Sequence, residues 1–450
     1  MKISRKNIHK RLKSLRQTRQ ELENNQLKSI RSILPQDRIE QICQNQEYHY
    51  RKRLMTPVVT LLHMIGAAIS RERSFQSAWH NDGQIGGSDL LCQARRRLPI
   101  RVWQGVDQWI DTEMAKEFGQ QDVWRGHRLI GIDGSCVSMS DTPELQQVFG
   151  RTESKHGVSR FPIARVLFGF TLNTQLTISH RVNHYQTSEQ SLLRDMFKEF
   201  NNGDLIICDR HFAGANLYGQ YKNAGLEFLT PLHQRQKVDH LKKVKEHGQD
   251  DFLVELSLTQ KHRRDDHSLP EHIVVRIIKV ETKIRGRKTI LWLATSLLDA
   301  KKYPVAEIKE LYKKRWKVET LIEEIKIWLG SDVLRSKTAE GIRKELYARI
   351  VAGNLIHWLV LKAAKKYNKD PQRISTTAAT RLIHCYSLKM SEAPEEKLPK
   401  LYEQLLEKIA NSIVPYRPHR LEPRMKRRDQ KHYSILHTSR AQWRKENAVA

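Results

Sequence analysis

Cysteine is scarce and unpatterned in this chain. Cys43, Cys92, Cys136, Cys208 and Cys385 are odd in number and scattered, with no CxxC pair and no Cys/His cluster at zinc-finger spacing. Neither a disulfide framework nor a structural zinc is indicated. His180 and His184 stand four apart, but the stretch around them, LTISHRVNHY, is β-like and lacks the glutamate of HExxH, so they read as sheet histidines. Long apolar runs are missing too. The most apolar stretch, Pro57 to Ile69, contains Thr60, His63 and Gly66; it falls short of the ~20 apolar residues of a membrane span and reads as a buried helix. The basic opening MKISRKNIHKRLKSLRQ is followed by no apolar signal core or small-residue cleavage site, and a cytoplasmic protein is expected. Acidic residues are in deficit, 50 against 79 Lys and Arg, for a formal net charge of +29. Such self-repulsion is relieved by a polyanion, which makes nucleic acid the leading partner over a merely basic or ribosome-associated role.

Hydrophobic residues make up 39% of the 450 residues, enough for packed cores, and at about 150 residues per domain the chain divides into roughly three units. From Met1 to about Gln120 the pattern is mostly helical, broken by the turn-rich DGQIGG at Asp82 to Gly87. RLIGIDGSCVSMS, FPIARVLFGFTL and LTISHRV then read as consecutive strands. A helix is expected from about Ser188 to Phe200, a continuously apolar buried strand in GDLIICDR, and another helix from Ala213 to Ala224. Between His233 and Lys288 the chain is highly charged with β-like pieces, FLVELSL and HIVVRIIKV, and reads as a β-rich insertion closed by the strand TILWLATSL. A long helical pattern runs from Pro304 to Gly330, and more helices follow to about residue 410. The tail RPHRLEPRMKRRDQK, Arg417 to Lys431, reads as an extended basic arm.

Asp133 interrupts an apolar strand pattern of Leu129, Ile130 and Ile132, so its burial demands a hydrogen bond, a proton or a cation. Asp209 follows the buried run Leu205 to Cys208. Taken singly, each is an ordinary strand-end aspartate; together, at one sheet edge, they offer oxygens to a hard cation such as Mg²⁺. On the long helix, at about 100° per residue, Tyr312, Arg315, Glu319 and Lys326 share an arc of about 60° beside an apolar stripe of Leu311, Val318, Ile322, Ile325 and Leu329. An i,i+4 ion pair is the plainer reading of Arg315 and Glu319. With the two aspartates, however, the chain supplies three carboxylates in the order strand, strand, helix, the set that two-metal phosphoryl transfer requires. Arg315 and Lys326 would then hold phosphates and Tyr312 would donate to the backbone. Trp316 and Trp292 are candidates for base stacking or for core packing. Glu323 reads as a solvated charge or a substitute ligand.

These motifs resemble the DDE transposases of the insertion-sequence-4 family. IDGS around Asp133 with DTPE at Asp141 to Glu144 resembles the first family block, and Asp209 and Arg210 followed by Phe212 resemble the second. Tyr312, Arg315, Glu319 and Lys326 match the spacing of a four-residue signature in the third. SEQ at Ser188 to Gln190, TSL at Thr295 to Leu297 and LRSK at Leu334 to Lys337 resemble weaker shared features. Leu145 stands where the family usually has Asn, and His211 where Gly often follows Asp-Arg. The resemblance implies an α/β chain with a ribonuclease-H-like catalytic core at 121–370, interrupted by the β-rich insertion at about 233–290. A helical N-terminal region, 1–120, would bind DNA ends, and a helical C-terminal region with a basic tail, 371–450, would bind DNA or dimerise. It further implies cut-and-paste transposition with Asp133, Asp209 and Glu319 as catalytic metal ligands, two Mg²⁺ (or Mn²⁺) ions per site, and Tyr312, Arg315, Lys326, Arg210 and Trp316 as DNA contacts. The partner is double-stranded DNA, bound by a homodimer on paired ends. A nuclease of the same fold and a catalytically silent DNA-binding regulator are the alternatives.

Overall fold

The apolar runs of the middle of the chain become neighbouring strands of one mixed sheet. A computed structural model describes residues 34–51, 54–70, 88–154, 157–158, 161–233, 236–284, 287–416, 443 and 445–446. The basic opening segment, DGQIGG and the arm from Arg417 to Lys431 lie outside the described residues. In chain order the elements begin with helices α1 (Gln36–Asn45), α2 (Pro57–Ile69), α3 (Ser88–Arg97) and α4 (Ile100–Phe118). Next come β1 (Val123–Trp124), β2 (His127–Met139), α5 (Pro143–Phe149), β3 (Glu153–Ser154), β4 (Gly157–Val158), β5 (Ile163–Thr171) and β6 (Thr177–His184). They are followed by α6 (Glu189–Met196), β7 (Leu205–Ile207), α7 (Ala215–Asn223), β8 (Glu227–Pro231), β9 (Lys242–Gly248), β10 (Asp251–Ser257), α8 (Gln260–Asp265), β11 (His272–Ile284) and β12 (Arg287–Thr295). The remainder is α9 (Val305–Lys313), α10 (Trp316–Glu323), β13 (Val333–Leu334), α11 (Ala339–Lys366), α12 (Thr376–Glu392) and α13 (Leu398–Asn411). No helix among the described residues is long and apolar enough to cross a membrane.

The described residues form two compact units assembled from non-contiguous stretches, one within 113–136 and 165–324, the other within 1–112, 137–164 and 325–450. The first is built on the sheet. Its strand order is β6-β5-β2-β7-β8-β12-β11-β10-β9, with β7 parallel to β2 and β8 parallel to β7. All three residues of β7 are buried, as its unbroken Leu-Ile-Ile requires of a strand covered on both faces. The charged stretch after β8 is continuous with this sheet, because β12 pairs antiparallel with β8 and then carries β11, β10 and β9 outward. The exposed edge strand β9, KKVKEHG, bears the lysines that discourage edge-to-edge association. Helices α6 and α7 bury Leu192, Leu193, Met196, Leu217 and Tyr221 against Ile130, Ile206 and Phe228 of the strands.

Arg276 of β11 is fully buried, and its guanidinium grips Asp251 through two hydrogen bonds of 2.7 and 2.6 Å. It also donates to the carbonyl oxygen of Tyr303 at 2.8 Å. The Tyr303 hydroxyl in turn lies 2.7 Å from His127 Nε2 at the start of β2. The outer strands are thus tied to the segment that precedes α9.

In the other unit the apolar stretch Pro57 to Ile69 forms α2, capped by Thr56, whose hydroxyl accepts the Val59 N–H at 3.3 Å. It is buried on nearly every side because α1, α3, α11 and α12 all pack on it. The 28-residue α11 carries the fully buried Glu345, which accepts the N–H groups of Arg335 and Ser336 and pairs with Arg349 at 3.1 Å. Lys344 caps the end of α3 by donating to the carbonyls of Arg95 and Arg96, each at 3.1 Å.

Pro304 to Gly330 departs from the single helix expected from the pattern. It consists of α9, α10 and a π-helical turn, Glu324–Trp328. The interruption has no proline or glycine to announce it. Lys314, Arg315, Lys317 and Val318 donate their N–H groups three residues back rather than four, a 3₁₀-type tightening that coincides with the burial of Arg315. Gly330, at φ +71°, ends the helical stretch in the left-handed region that glycine alone enters freely.

Candidate active site

The parallel pairing of β2 with β7 matches Leu129 to Leu205, Ile130 to Ile206 and Gly131 to Ile207. The same register carried two residues further sets Asp133 abreast of Asp209. Asp133 lies in the strand itself, its Oδ1 accepting the Gly134 N–H at 2.8 Å. Asp209 leaves the strand and caps a short 3₁₀ turn, Arg210–Phe212, accepting the His211 N–H at 2.7 Å. Thr230 of β8 fixes that turn from below by donating its hydroxyl to the Asp209 carbonyl at 2.9 Å.

Burial pushes the Asp133 carboxyl up to about 6; the Gly134 N–H and the Arg315 guanidinium pull it down, and the charges of Asp209 and Glu189 push it further up. The edge of the sheet is therefore crowded with negative charge. Arg315, almost wholly buried, is the cation that answers it. Its guanidinium also donates to Glu319 Oε1 at 3.0 Å and lies 4.4 Å from the centre of the Trp316 ring. Asp133 thus feels the charges of both Asp209 and Arg315, and Arg315 in turn pairs with Glu319. Among the described residues no three carboxylate, histidine or cysteine side chains converge closely enough to hold an ion. Glu319, half exposed, is turned to the arginine instead.

Tyr312 is half-buried on the same side. Burial raises its phenol, Arg315 and Arg210 work in the opposite sense, and Cys208 and Asp209 add to the rise. Arg210 has a buried Nε without a hydrogen-bond partner among the described residues. Trp316 is 56% exposed, whereas Trp292 packs on the sheet core with its ring 5.9 Å from Phe252. Lys326 is in the π turn, beyond the division between the units, where its carbonyl accepts the Asp332 N–H at 3.0 Å. Glu323 is exposed.

The apolar stripe along α9, α10 and the π turn that follows is buried, at Leu311, Val318, Ile322, Ile325 and Leu329. Val318 presses on β2 where the sheet has no side chain: a Cβ at Gly131 would collide with Val318 Cγ2 and with Leu172 Cδ2. Gly131→Ala is therefore expected to destabilise the protein by about 1–3 kcal/mol through overpacking. Cleavage should fall as well, because the helix that carries Glu319 is displaced. Urea unfolding beside a cleavage assay checks both, and an unchanged midpoint would contradict this packing.

The sequence candidates omit Glu189. Its carboxylate is paired with Arg165 at 2.8 Å and occupies the space where a Cβ of residue 134 would be. The tripeptide Ser188 to Gln190 was the available signal. The two departures from the family pattern have distinct surroundings, with Leu145 fully buried in α5 and His211 Nε2 lying 4.0 Å from Glu189. In the DTPE stretch, Glu144 accepts the N–H of Ala339 at 2.8 Å and so holds the start of α11.

The transposase DDE domain family matches residues 124–355. The chain is 24% identical over 390 residues to the transposase InsG for insertion sequence element IS4 of Escherichia coli K12, an alignment that covers 83% of this chain and 86% of that protein. It is also 24% identical over 141 residues to the putative transposase InsZ of the same organism, covering 30% of this chain and 47% of that one. Among solved structures, a piggyBac transposase synaptic complex with hairpin DNA matches at 11% identity, covering 88% of this chain and 87% of that one, with a TM-score of 0.42. The family match spans more than half of the 450 residues, and the chain accordingly belongs to the transposase DDE domain family: it is a DNA transposase of the IS4 type, which cleaves and transfers DNA strands.

Proposed function

We propose that the chain performs cut-and-paste transposition through a ribonuclease-H-like core in which Asp133, Asp209 and Glu319 are the catalytic carboxylates. The observation that carries this reading is the register of β2 and β7, which aligns the two aspartates at one sheet edge beneath the helix bearing Glu319. The strand order β6-β5-β2-β7-β8, with the last two parallel to β2, supports the fold assignment.

The family is dependent on divalent metal, and this donor set suits a hard cation: its ligand atoms are carboxylate oxygens, and the negative charge around Asp133 exceeds what Arg315 offsets. We assign two Mg²⁺ or Mn²⁺ ions to Asp133, Asp209 and Glu319; when bound they would activate the attacking oxygen and stabilise the leaving one. Arg315 exchanges its hold on Glu319 for a DNA phosphate. Arg210 and Lys326 add charge contacts to the same backbone, and Tyr312 donates its hydroxyl to it. Trp316, with one face over Arg315 and more than half of its surface exposed, stacks on an unpaired base.

The helical stretch 1–120 would bind the element ends, 121–370 would form the catalytic core with its insertion at about 233–290, and 371–450 would bind DNA or dimerise. The working form would be a homodimer on paired ends in the cytoplasm. Joined products separate this reading from a nuclease of the same fold. Incubation with a duplex carrying the element end and a target plasmid should give both nicks at the boundary and element joined to plasmid; nicks without joining would leave a nuclease. End binding should also weaken steeply with salt, by roughly 10³-fold or more between 50 and 200 mM for a protein contacting six or more phosphates. A flat salt dependence would undermine the electrostatic reading drawn from the +29 charge.

A further inference from the structure

The first turn of α6 touches every segment that carries the sheet-edge aspartates. Ser188 caps the helix by accepting the Ser191 N–H at 3.1 Å, which fixes Glu189 in its first turn. Glu189 leans against β2 so closely that its carboxylate fills the space a Cβ of residue 134, next to Asp133, would take. Arg165 of β5 holds the carboxylate at 2.8 Å and is itself anchored by donating Nε to the Tyr185 carbonyl at 2.9 Å. The other oxygen of Glu189 faces His211 Nε2 at 4.0 Å, and Gln190 Nε2 donates to the His211 carbonyl at 2.6 Å. His211 is two residues beyond Asp209, in the turn that Asp209 caps. A surface helix needs none of these ties for its own stability, since its apolar face is already buried through Leu192, Leu193 and Met196.

We propose that Glu189, assisted by Gln190, is a positioning residue for strand cleavage, clamping the Asp133 segment of β2 to the Asp209 turn so that both carboxylates meet the same divalent ion. This rests on the metal-site reading above. The clamp works from behind: Arg165 keeps Glu189 directed at Gly134, and Gln190 stops the 209–212 turn from moving away from β2. Orienting groups of this kind alter metal affinity more than they alter the fold.

The test uses the full chain and Mn²⁺ as probe, with bound Mn²⁺ followed by the loss of its free electron-paramagnetic-resonance signal in the absence of DNA. Wild type, Glu189→Gln, Gln190→Ala and Asp209→Asn are compared, each with a thermal melt. In Glu189→Gln the Mn²⁺ concentration for half-saturation is expected to rise about tenfold or more, and Gln190→Ala should shift it in the same direction by less. Cleavage by both variants should recover towards the wild-type rate as Mn²⁺ is raised. Unchanged half-saturation in folded Glu189→Gln and Gln190→Ala overturns the clamp, whether or not their melting points fall. Gln190→Ala, which leaves the Arg165 pair intact, carries the decision should Glu189→Gln unfold. Failure of the underlying reading looks different: Asp209→Asn would then bind Mn²⁺ as wild type does.

Discussion

Asp209→Asn and Glu319→Gln should each lower strand cleavage by at least about a thousandfold, the scale on which charge-stabilising groups act in preorganised sites. Binding to element ends should be nearly unchanged. The two substitutions keep side-chain volume and remove charge, so the reasons for their effect can be read from the surroundings. Asp209 caps the turn with an oxygen that Asn retains, accepting the His211 N–H at 2.7 Å. The fold at the strand end should therefore survive in the amide. What disappears is half of the carboxylate pair that the register of β2 and β7 brings abreast. Among the described residues Glu319 is held only by Arg315, at 3.0 Å, and it is half exposed; loss of that pair costs little stability. Gel-shift titration beside a nicking assay checks the separation. Parallel loss of binding and cleavage would mean that these residues serve the DNA surface instead.

Asp251→Ala should destabilise the protein by about 3–5 kcal/mol, since it leaves Arg276 as an unpaired charge in the interior. The Arg276 side chain has no exposed surface and, among the described residues, keeps only the carbonyls of Tyr303 and Leu297 at 2.8 and 3.3 Å as partners. Removing both charges, as in Asp251→Leu with Arg276→Met, should return much of that stability, because an apolar pair of similar volume has no desolvation penalty to offset. Urea unfolding of the single and double variants decides this. A single-variant loss below about 1 kcal/mol, or a double variant no better than the single, would contradict the strut between the outer strands and the segment before α9.

The local chemistry of this fold was legible in the sequence where a period or a cap is written in consecutive residues. Leu205 to Cys208 reads as a buried strand, which Leu205–Ile207 forms, and the stripe from Leu311 to Leu329 reads as the packed side of a helix, whose positions are buried although the helix is broken. Asp133 and Asp209 stood out because a carboxylate in or against such a run needs a partner. That the two stand abreast was not legible: it depends on pairing between strands 76 residues apart, which no local pattern encodes. The same holds for the charged stretch after β8, whose β-character is plain but whose continuity with the main sheet rests on three long-range pairs between β12 and β8. The break at Lys314 and Arg315 escaped because helical wheels assume a constant turn, whereas the chain tightens where Arg315 is drawn into the interior. Glu189 escaped for a related reason. Its spacing belongs to the first turn of an ordinary amphipathic helix, and only the fold reveals Gly134 as the bare backbone it rests on.

The most direct test of the central claim is a single comparison of the purified chain with its Asp133→Ala variant on a labelled duplex bearing the element's own end, each with Mg²⁺ and with EDTA. The expected result is nicking at the element boundary that requires Mg²⁺ and is missing from the variant, although both proteins bind the duplex. Boundary nicking by Asp133→Ala at the wild-type rate, or binding without cleavage by the wild type under any divalent ion, would contradict it.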